Sequence, residues 1–278
     1  MASFDLDFVC VGPQRTGTTW VYEMLQRHPD LCLPEVVKET MFFDRFYDRG
    51  IEWYSQYFQP SHPNQLCGEV APTYFDSLEV PHRIREISPL CEIVVTLRDP
   101  VERAWSLFLH HLKKGRVSKD FWEAVDRIPR IVEAGRYKRH LERWNLVFGT
   151  EQVTTLFHED LSAAPRKVLS SIRKSLNVKP FPPVQAQRKR FNDTSMSRFP
   201  TLARGVALLT TTLHKYGFHK AVGILKGTGI KSLIYSGGEQ RTPEISASIR
   251  KVLLDKYEPD ITYIEKKTER DLSQWREK

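Results

Sequence analysis

Short, uninterrupted apolar runs alternate along this chain with longer segments of helical periodicity. The clearest runs are residues 6–12 (LDFVCVG), 66–70 (LCGEV), 91–97 (CEIVVTL) and 152–157 (QVTTLF). Such runs are typical of strands that are buried on both faces. Parallel neighbours need a long return segment, so strands separated by helices favour a parallel sheet. The sequence therefore predicts an α/β fold with a central parallel sheet flanked by helices.

Helical patterns fill the segments between these strands. We predict helices over residues 18–28, 80–87, 100–114, 130–147, 165–176, 201–215 and 243–274. The stretch 177–200 has no clear period and is rich in proline and basic residues, which indicates a ligand loop or a lid. Because we find no repeat, no low-complexity tract and no clear domain boundary, we expect a single domain over residues 1–278 with a helical C-terminal part.

The net charge of +8 is distributed unevenly. Residues 1–100 hold 8 basic and 15 acidic side chains, whereas residues 101–250 hold 27 basic and 12 acidic ones. Such a surplus suits an anionic partner, which could be nucleic acid, a membrane surface, or a phosphorylated or sulfated small molecule. A solvated basic face is the ordinary alternative. The 40% share of hydrophobic residues excludes a disordered chain.

Cysteine content and hydropathy indicate the compartment. The four cysteines are too few and too scattered for a disulfide framework or a zinc site. The first residues lack the charged and apolar regions of a secretory signal, and no apolar stretch reaches the roughly 18 residues of a transmembrane helix. We expect a cytoplasmic protein. Peripheral membrane contact stays open for residues 201–235, which mix aliphatic side chains with lysines.

The segment after the first strand carries the main functional signal. It reads Gly12-Pro13-Gln14-Arg15-Thr16-Gly17-Thr18-Thr19-Trp20 and leads into a predicted helix. A glycine-containing turn at a helix N-terminus presents backbone N–H groups to an anion. Arg15 and the threonines would add side-chain donors. A nucleotide P-loop would place lysine at position 18, where this chain has threonine. We therefore predict a phosphate-type anion other than MgATP.

Residues 13–20 resemble the 5′-phosphosulfate loop of sulfotransferases that use 3′-phosphoadenosine 5′-phosphosulfate (PAPS). A second segment, residues 97–106 (LRDPVERAWS), resembles the strand–loop–helix element that binds the 3′-phosphate in that family. Two such motifs on successive parallel elements are more specific than either motif alone. The resemblance implies a P-loop NTPase-like fold, PAPS as cofactor and adenosine 3′,5′-bisphosphate as product.

The resemblance also implies which residues bind the cofactor. Arg98 and Ser106 would bind the 3′-phosphate, since a guanidinium and a hydroxyl can share one phosphate. Arg188, Lys189 and Arg190 could close over it, although a solvated charge cluster is the alternative. The loop would contribute Arg15, Thr16, Gly17, Thr18, Thr19 and Trp20.

Sulfuryl transfer depends mainly on in-line positioning and on stabilising charge near the transferred group. Residues 37–44 resemble the lysine-containing segment of glycan sulfotransferases, which implies that Lys38 neutralises the sulfuryl or bridging oxygen. Arg15 would assist it. No set of residues is arranged like a metal site, and the resemblance implies none.

A general base is also required. Residues 68–75 resemble the catalytic-glutamate segment of glycan sulfotransferases, and Glu69 is expected at a strand end facing the ligand crevice. A salt bridge from Glu69 to Arg15 or Lys38 is the competing interpretation. His110, one helical turn beyond Ser106, is the second candidate base.

The leading hypothesis is a PAPS-dependent sulfotransferase acting on a hydroxyl or amine of a small-molecule acceptor. A carbohydrate or glycolipid acceptor is the alternative within the family, and a P-loop small-molecule kinase is the alternative enzyme. A binding module for nucleotides or nucleic acid is the non-enzymatic reading. The chain has no recognised nucleic-acid motif, so we expect no nucleic-acid partner.

Overall fold

A computed structural model describes residues 4–35, 37–182 and 243–277. Its centre is a five-stranded sheet with the order β2-β3-β1-β4-β5, in which all neighbouring strands are parallel. The predicted α/β class and parallel sheet are thus confirmed. No apolar run predicted the two-residue strand β2. The strands are β1 (Phe8–Cys10), β2 (Leu31–Cys32), β3 (Leu66–Val70), β4 (Glu92–Leu97) and β5 (Val153–Phe157).

Helices connect these strands. The described helices are α1 (Thr18–Leu25), α2 (Ile51–Ser55), α3 (Val80–Ile87), α4 (Pro100–Lys113), α5 (Phe121–Arg127), α6 (Arg130–Glu133), α7 (Tyr137–Phe148), α8 (His158–Ala163), α9 (Pro165–Leu176) and α10 (Ala247–Thr268). Shorter turns lie at Phe42–Phe46, Tyr47–Arg49 and Ser273–Trp275. None of the helices in the described ranges is long and apolar enough to cross a membrane.

Side chains alternate between the two faces of the sheet, as a strand requires. Phe8 and Cys10 pack on one face with residues of α1 and α9. Val9 packs on the other face in a larger core built with α3, α4, α7 and α10, which includes Leu6 and Trp275. Helices therefore cover both faces of the sheet. All four cysteines are free and buried.

The continuous helix predicted over residues 130–147 is wrong, because the chain forms α6 and α7 instead. Gly135 lies between them, and a Cβ there would lie 2.8 Å from the Tyr257 ring of α10. The break lets α10 pack closely. The predicted helix 201–215 and the basic run at 188–190 lie outside the described residues, as does the stretch 201–235.

Strands β1 and β4 are neighbours, but the chain leaves them toward opposite edges of the sheet. From β1 the chain passes to β2 at one edge, and from β4 it passes to β5 at the other. The segments that follow the two carboxyl ends diverge and leave a crevice between them, which is the usual ligand position in open α/β sheets. Both predicted anion-binding motifs begin at this crevice, called the cleft below.

Candidate active site

The loop between β1 and α1 has an unusual backbone conformation at two residues. Arg15 and Gly17 both have left-handed backbone conformations, with φ angles of 77° and 93°. A non-glycine residue held there is strained, and such strain concentrates at ligand sites. Gly17 is the N-cap of α1 and supplies no side-chain cap. The first N–H groups of α1 therefore face the cleft without a capping side chain.

Thr16 holds this loop against the sheet. Its Oγ1 donates to the carbonyl oxygen of Pro13 at 2.7 Å and lies 2.6 Å from Oγ1 of Thr96 in β4. A Cβ at Gly12 would overlap the same Thr96 side chain. The expectation that the Thr16 hydroxyl faces the anion is therefore corrected, since this buried hydroxyl is used within the loop.

The two predicted motifs meet at the cleft. Nε of Arg15 donates to Oγ of Ser106 at 3.0 Å, and Nη1 of Arg98 donates to the main-chain oxygen of Arg15 at 3.3 Å. Burial and the nearby Arg98 charge lower the pKa of Arg15. Two partly buried like charges repel each other, and an anion bound between them would relieve that repulsion.

Lys38 reaches the loop from the segment after β2. Its Nζ donates to Oγ1 of Thr18 at 3.4 Å and lies 3.7 Å from a carboxylate oxygen of Glu39. The two charged side chains are 24% and 23% exposed, so both keep access to solvent. Burial raises the pKa of Glu39, and the Lys38 charge opposes that rise. The pair places a cation and a candidate proton acceptor together beside the loop.

Glu69 has a different environment. It is fully buried in β3, where its Oε2 accepts from the Tyr54 hydroxyl at 2.7 Å. Its Oε1 accepts from the Thr40 N–H at 3.0 Å and from the Tyr74 hydroxyl at 3.2 Å. The Thr40 hydroxyl lies within 3.0 Å of both oxygens. We call these four residues the Glu69 cluster.

This placement corrects two expectations for Glu69. The carboxylate points into the core instead of the cleft, where it accepts hydrogen bonds from Thr40, Tyr54 and Tyr74 and does not pair with Arg15 or Lys38. Burial raises the pKa of Glu69 to about 7, although hydrogen bonds from Tyr54 and Thr40 oppose the rise. The cluster fixes the backbone at Thr40, the residue next to Glu39.

Sequence reasoning missed Glu39. The signal was present, because Glu39 directly follows Lys38 in the segment that resembles glycan sulfotransferases. The strand-end position of Glu69 favours Glu69 over Glu39, since carboxyl ends of parallel strands face the crevice. A position near the end of a strand does not by itself determine the face of the sheet to which a side chain points. For Glu69 that face follows from the alternation of side chains within β3.

His110 lies in α4 one turn beyond Ser106, as expected. Burial and the charges of Lys114 and Arg15 lower the pKa of His110 to about 2. The imidazole is thus neutral and a weak base. His140 is buried in the core, where its Nε2 donates to the Glu133 carbonyl oxygen at 3.0 Å, so this histidine has a structural role.

The remaining predicted residues lie at the start of α1 or outside the described ranges. Thr18 is buried under Lys38, whereas Thr19 and Trp20 are half-buried. Trp20 packs at the edge of the core formed with α9. Within the described ranges, no group of three or more His, Cys, Asp or Glu side chains could hold a metal.

His158 is a second residue that sequence reasoning did not place at the cleft. It opens α8 directly after β5. A Cβ at Gly17 would lie 2.9 Å from its Nδ1, so the ring lies against the loop. Burial and the Arg98 charge lower its pKa.

Comparisons with known proteins identify a family that this chain resembles. A family model for the sulfotransferase domain matches residues 5–217. The human bifunctional heparan sulfate N-deacetylase/N-sulfotransferase 3 is 32% identical over 194 residues, covering 62% of this chain and 22% of that protein. The Drosophila melanogaster bifunctional heparan sulfate N-deacetylase/N-sulfotransferase is 31% identical over 206 residues, covering 62% and 20%. The chain therefore spans about a fifth of the length of these relatives.

A solved structure supports the fold. The crystal structure of a sulfotransferase from Alicyclobacillus acidocaldarius superposes with a TM-score of 0.68 at 22% identity, covering 98% of this chain and 99% of that one. The match to the family model extends over more than half of the sequence. The predicted family is thereby confirmed: the chain belongs to the sulfotransferase domain family.

Proposed function

We propose that this chain is a PAPS-dependent sulfotransferase that transfers a sulfuryl group to a hydroxyl or an amine. The observation that carries the proposal is the convergence of Arg15, Arg98 and Ser106 at the ends of two neighbouring strands. These residues come from motifs more than eighty positions apart, and Lys38 contacts the same loop. Membership of the sulfotransferase family supports it.

Each phosphate of the cofactor has suitable partners. The amides at the start of α1 and the Arg15 guanidinium suit the 5′-phosphosulfate, because a helix N-terminus and a cation both favour negative charge. Arg98 and Ser106 suit the 3′-phosphate. The hydrogen bond from Arg15 to Ser106 connects the two positions.

PAPS supplies the sulfuryl group, whose bond to the 5′-phosphate oxygen breaks as the acceptor atom bonds to sulfur. Lys38 stabilises the charge that remains on that oxygen, and the loop amides add to this stabilisation. We assign proton removal from the acceptor to Glu39 in place of Glu69. Glu39 is partly exposed beside Lys38, whereas the oxygens of Glu69 are occupied by core donors.

His110 is the second candidate base. Burial, together with the charges of neighbouring cations, disfavours the imidazolium and lowers its pKa. A bound anion would oppose those cations and raise the pKa. A variant at each position therefore separates the two assignments.

The acceptor is proposed to be a small molecule with a hydroxyl or an amine, with a carbohydrate as the second candidate. The relatives' names favour the carbohydrate, since those proteins are heparan sulfate N-sulfotransferases. Isotopically labelled PAPS, incubated with a metabolite extract in one arm and N-deacetylated heparan in the other, distinguishes the two. If the label is transferred neither to the metabolites nor to the heparan, both acceptor proposals are contradicted.

We also propose a single domain over residues 1–278 and a cytoplasmic location, without a metal requirement. Core residues from both ends of the chain pack in one cluster, which supports one domain. Four free thiols are typical of a reducing compartment.

Calorimetry tests the cofactor assignment. We expect adenosine 3′,5′-bisphosphate to bind more tightly than adenosine 5′-phosphate and ATP, equally with and without magnesium. Tight binding of MgATP with phosphoryl transfer would support the kinase instead. Salt-sensitive binding of DNA without turnover would support the binding module.

A further inference from the structure

Glu102, in the first turn of α4, lies between two guanidinium groups. Its Oε2 is 3.6 Å from Nη2 of Arg98, and its Oε1 accepts a hydrogen bond at 2.6 Å from Nη2 of Arg250. Arg250 belongs to α10, which is 148 positions further along the chain. The three side chains are between 19% and 29% exposed, so solvent screens their charges only in part.

Glu102 opposes the binding of a phosphate at Arg98. Its carboxylate attracts the guanidinium that the phosphate would use, and its negative charge repels an arriving dianion. Arg98 already donates another N–H to the Arg15 carbonyl oxygen, which leaves fewer donors for a ligand. A second cation that engages Glu102 would reduce both effects. Arg250 is that cation, at the shorter of the two distances.

A second carboxylate adds to the need for this cation. Asp99 accepts the N–H groups of Val101 and Glu102 as the N-cap of α4. Burial and the Glu102 charge raise the pKa of Asp99 to about 6, while the hydrogen bonds from the Glu102 and Val101 N–H groups and the Arg250 charge oppose the rise. Arg250 therefore offsets two carboxylates on the helix that carries Ser106.

We propose that Arg250 is a positioning residue for recognition of the 3′-phosphate, because it engages Glu102 and leaves Arg98 available to the ligand. The inference rests on the proposed function. With Arg250 present, the group formed by Arg98, Glu102 and Arg250 has a net positive charge. Without Arg250, Arg98 and Glu102 neutralise each other and the attraction for the phosphate falls.

The preference for the 3′-phosphate provides the test. It is the dissociation constant of adenosine 5′-phosphate divided by that of adenosine 3′,5′-bisphosphate, measured by calorimetry on the full chain. Arg250→Met should lower this ratio about tenfold, the loss of one moderate charge interaction. Arg250→Lys should retain most of it. Unchanged preference in Arg250→Met would overturn the proposal.

A double variant separates positioning from a structural role. Because Glu102→Gln removes the competing charge, adding it to Arg250→Met should restore the ratio to within about threefold of the unmodified chain. A double variant as poor as Arg250→Met would instead show that Arg250 only packs α10. Glu102→Gln alone should keep or raise the ratio, and a clear decrease would contradict the proposal even if Arg250→Met does not fold.

Lys256→Met is the matched control. Lys256 also lies in α10 and pairs with an acidic side chain, Glu133, at 3.8 Å, but that partner belongs to α6. The Lys256→Met variant should show the same preference for the 3′-phosphate as the unmodified chain. If the unmodified chain itself shows no preference for the 3′-phosphate, the cofactor assignment fails, which is a different result from failure of Arg250.

Discussion

The Lys38–Glu39 pair and the Glu69 cluster are adjacent along the chain at Thr40, yet their two carboxylates differ in access to solvent. Glu69 bonds to the Thr40 N–H inside the core, whereas Glu39, the preceding residue, lies beside Lys38 with 23% of its side chain exposed. Burial raises the pKa of both. A raised pKa therefore does not by itself identify a catalytic base, because a base must also reach the proton that it removes.

The largest expected effect is on turnover. Glu39→Gln should lower kcat about 100-fold or more, the usual contribution of a general base. The dissociation constant of adenosine 3′,5′-bisphosphate should stay within about threefold, because the amide removes the base and keeps the shape. Steady-state kinetics with labelled PAPS and calorimetry measure the two quantities.

Glu35→Gln serves as the control for that variant, since Glu35 is an exposed glutamate in the same segment. It should leave kcat unchanged. A loss of turnover in His110→Asn, together with normal turnover in Glu39→Gln, would assign the role of general base to His110 instead of Glu39.

The carboxyl group of Glu69 should make the free energy of unfolding depend on pH. Burial raises the pKa of Glu69 in the folded protein to about 7, above its ordinary value of 4.5. Because the pKa of Glu69 is higher in the folded than in the unfolded chain, its contribution to the free energy of unfolding is fully present below about pH 4.5. That contribution is lost as the pH rises through about 7. The loss is on the order of 3 kcal/mol, from 1.36 kcal/mol per pH unit. Glu69→Gln should flatten this dependence in urea unfolding between about pH 5 and 8.

The same variant also tests the catalytic assignment. Glu69→Gln should fold and should retain turnover at about the level of the unmodified chain where both are fully folded, because the carboxylate does not reach the cleft. Abolished turnover in a stably folded Glu69→Gln would restore Glu69 as the base.

A substitution at Arg98 tests the proposed 3′-phosphate site through ligand binding. Arg98→Ala should weaken binding of adenosine 3′,5′-bisphosphate about 10- to 100-fold, the range expected for hydrogen bonds to a charged group. Adenosine 5′-phosphate should be affected much less. Arg27→Ala, which removes an exposed arginine beyond α1, is the control. Equal effects on the two nucleotides would contradict the 3′-phosphate assignment.

The smallest effect is expected at Ser106. Ser106→Ala removes one hydroxyl that accepts from Arg15. We expect about 1 kcal/mol weaker binding of the bisphosphate, or about fivefold in its dissociation constant. Thermal unfolding should change little, in contrast to the Glu69 cluster. No change in the dissociation constant would exclude Ser106 as a phosphate ligand.

Local pattern predicted much of the fold because strand and helix periodicities are properties of neighbouring residues. The limits of β3, α3 and α9 agree with the apolar pattern to the residue. The break at Gly135 could not be foreseen in this way, since it depends on contact with Tyr257 in a distant helix. The short strand β2 carries too few residues for a pattern.

By itself, the sequence determined the parallel α/β sheet and predicted an anion-binding loop after β1, because both depend on short-range periodicity and on residue types within single segments. The pairing of that loop with the Arg98 motif was implied by the resemblance to sulfotransferases. Only the tertiary structure decided that Thr16 points inward, that Glu69 is enclosed while Glu39 is partly exposed beside Lys38, and that Arg250 reaches Glu102. The physical reason is that burial and charge pairing depend on residues that are distant along the chain and become neighbours only after the layers pack.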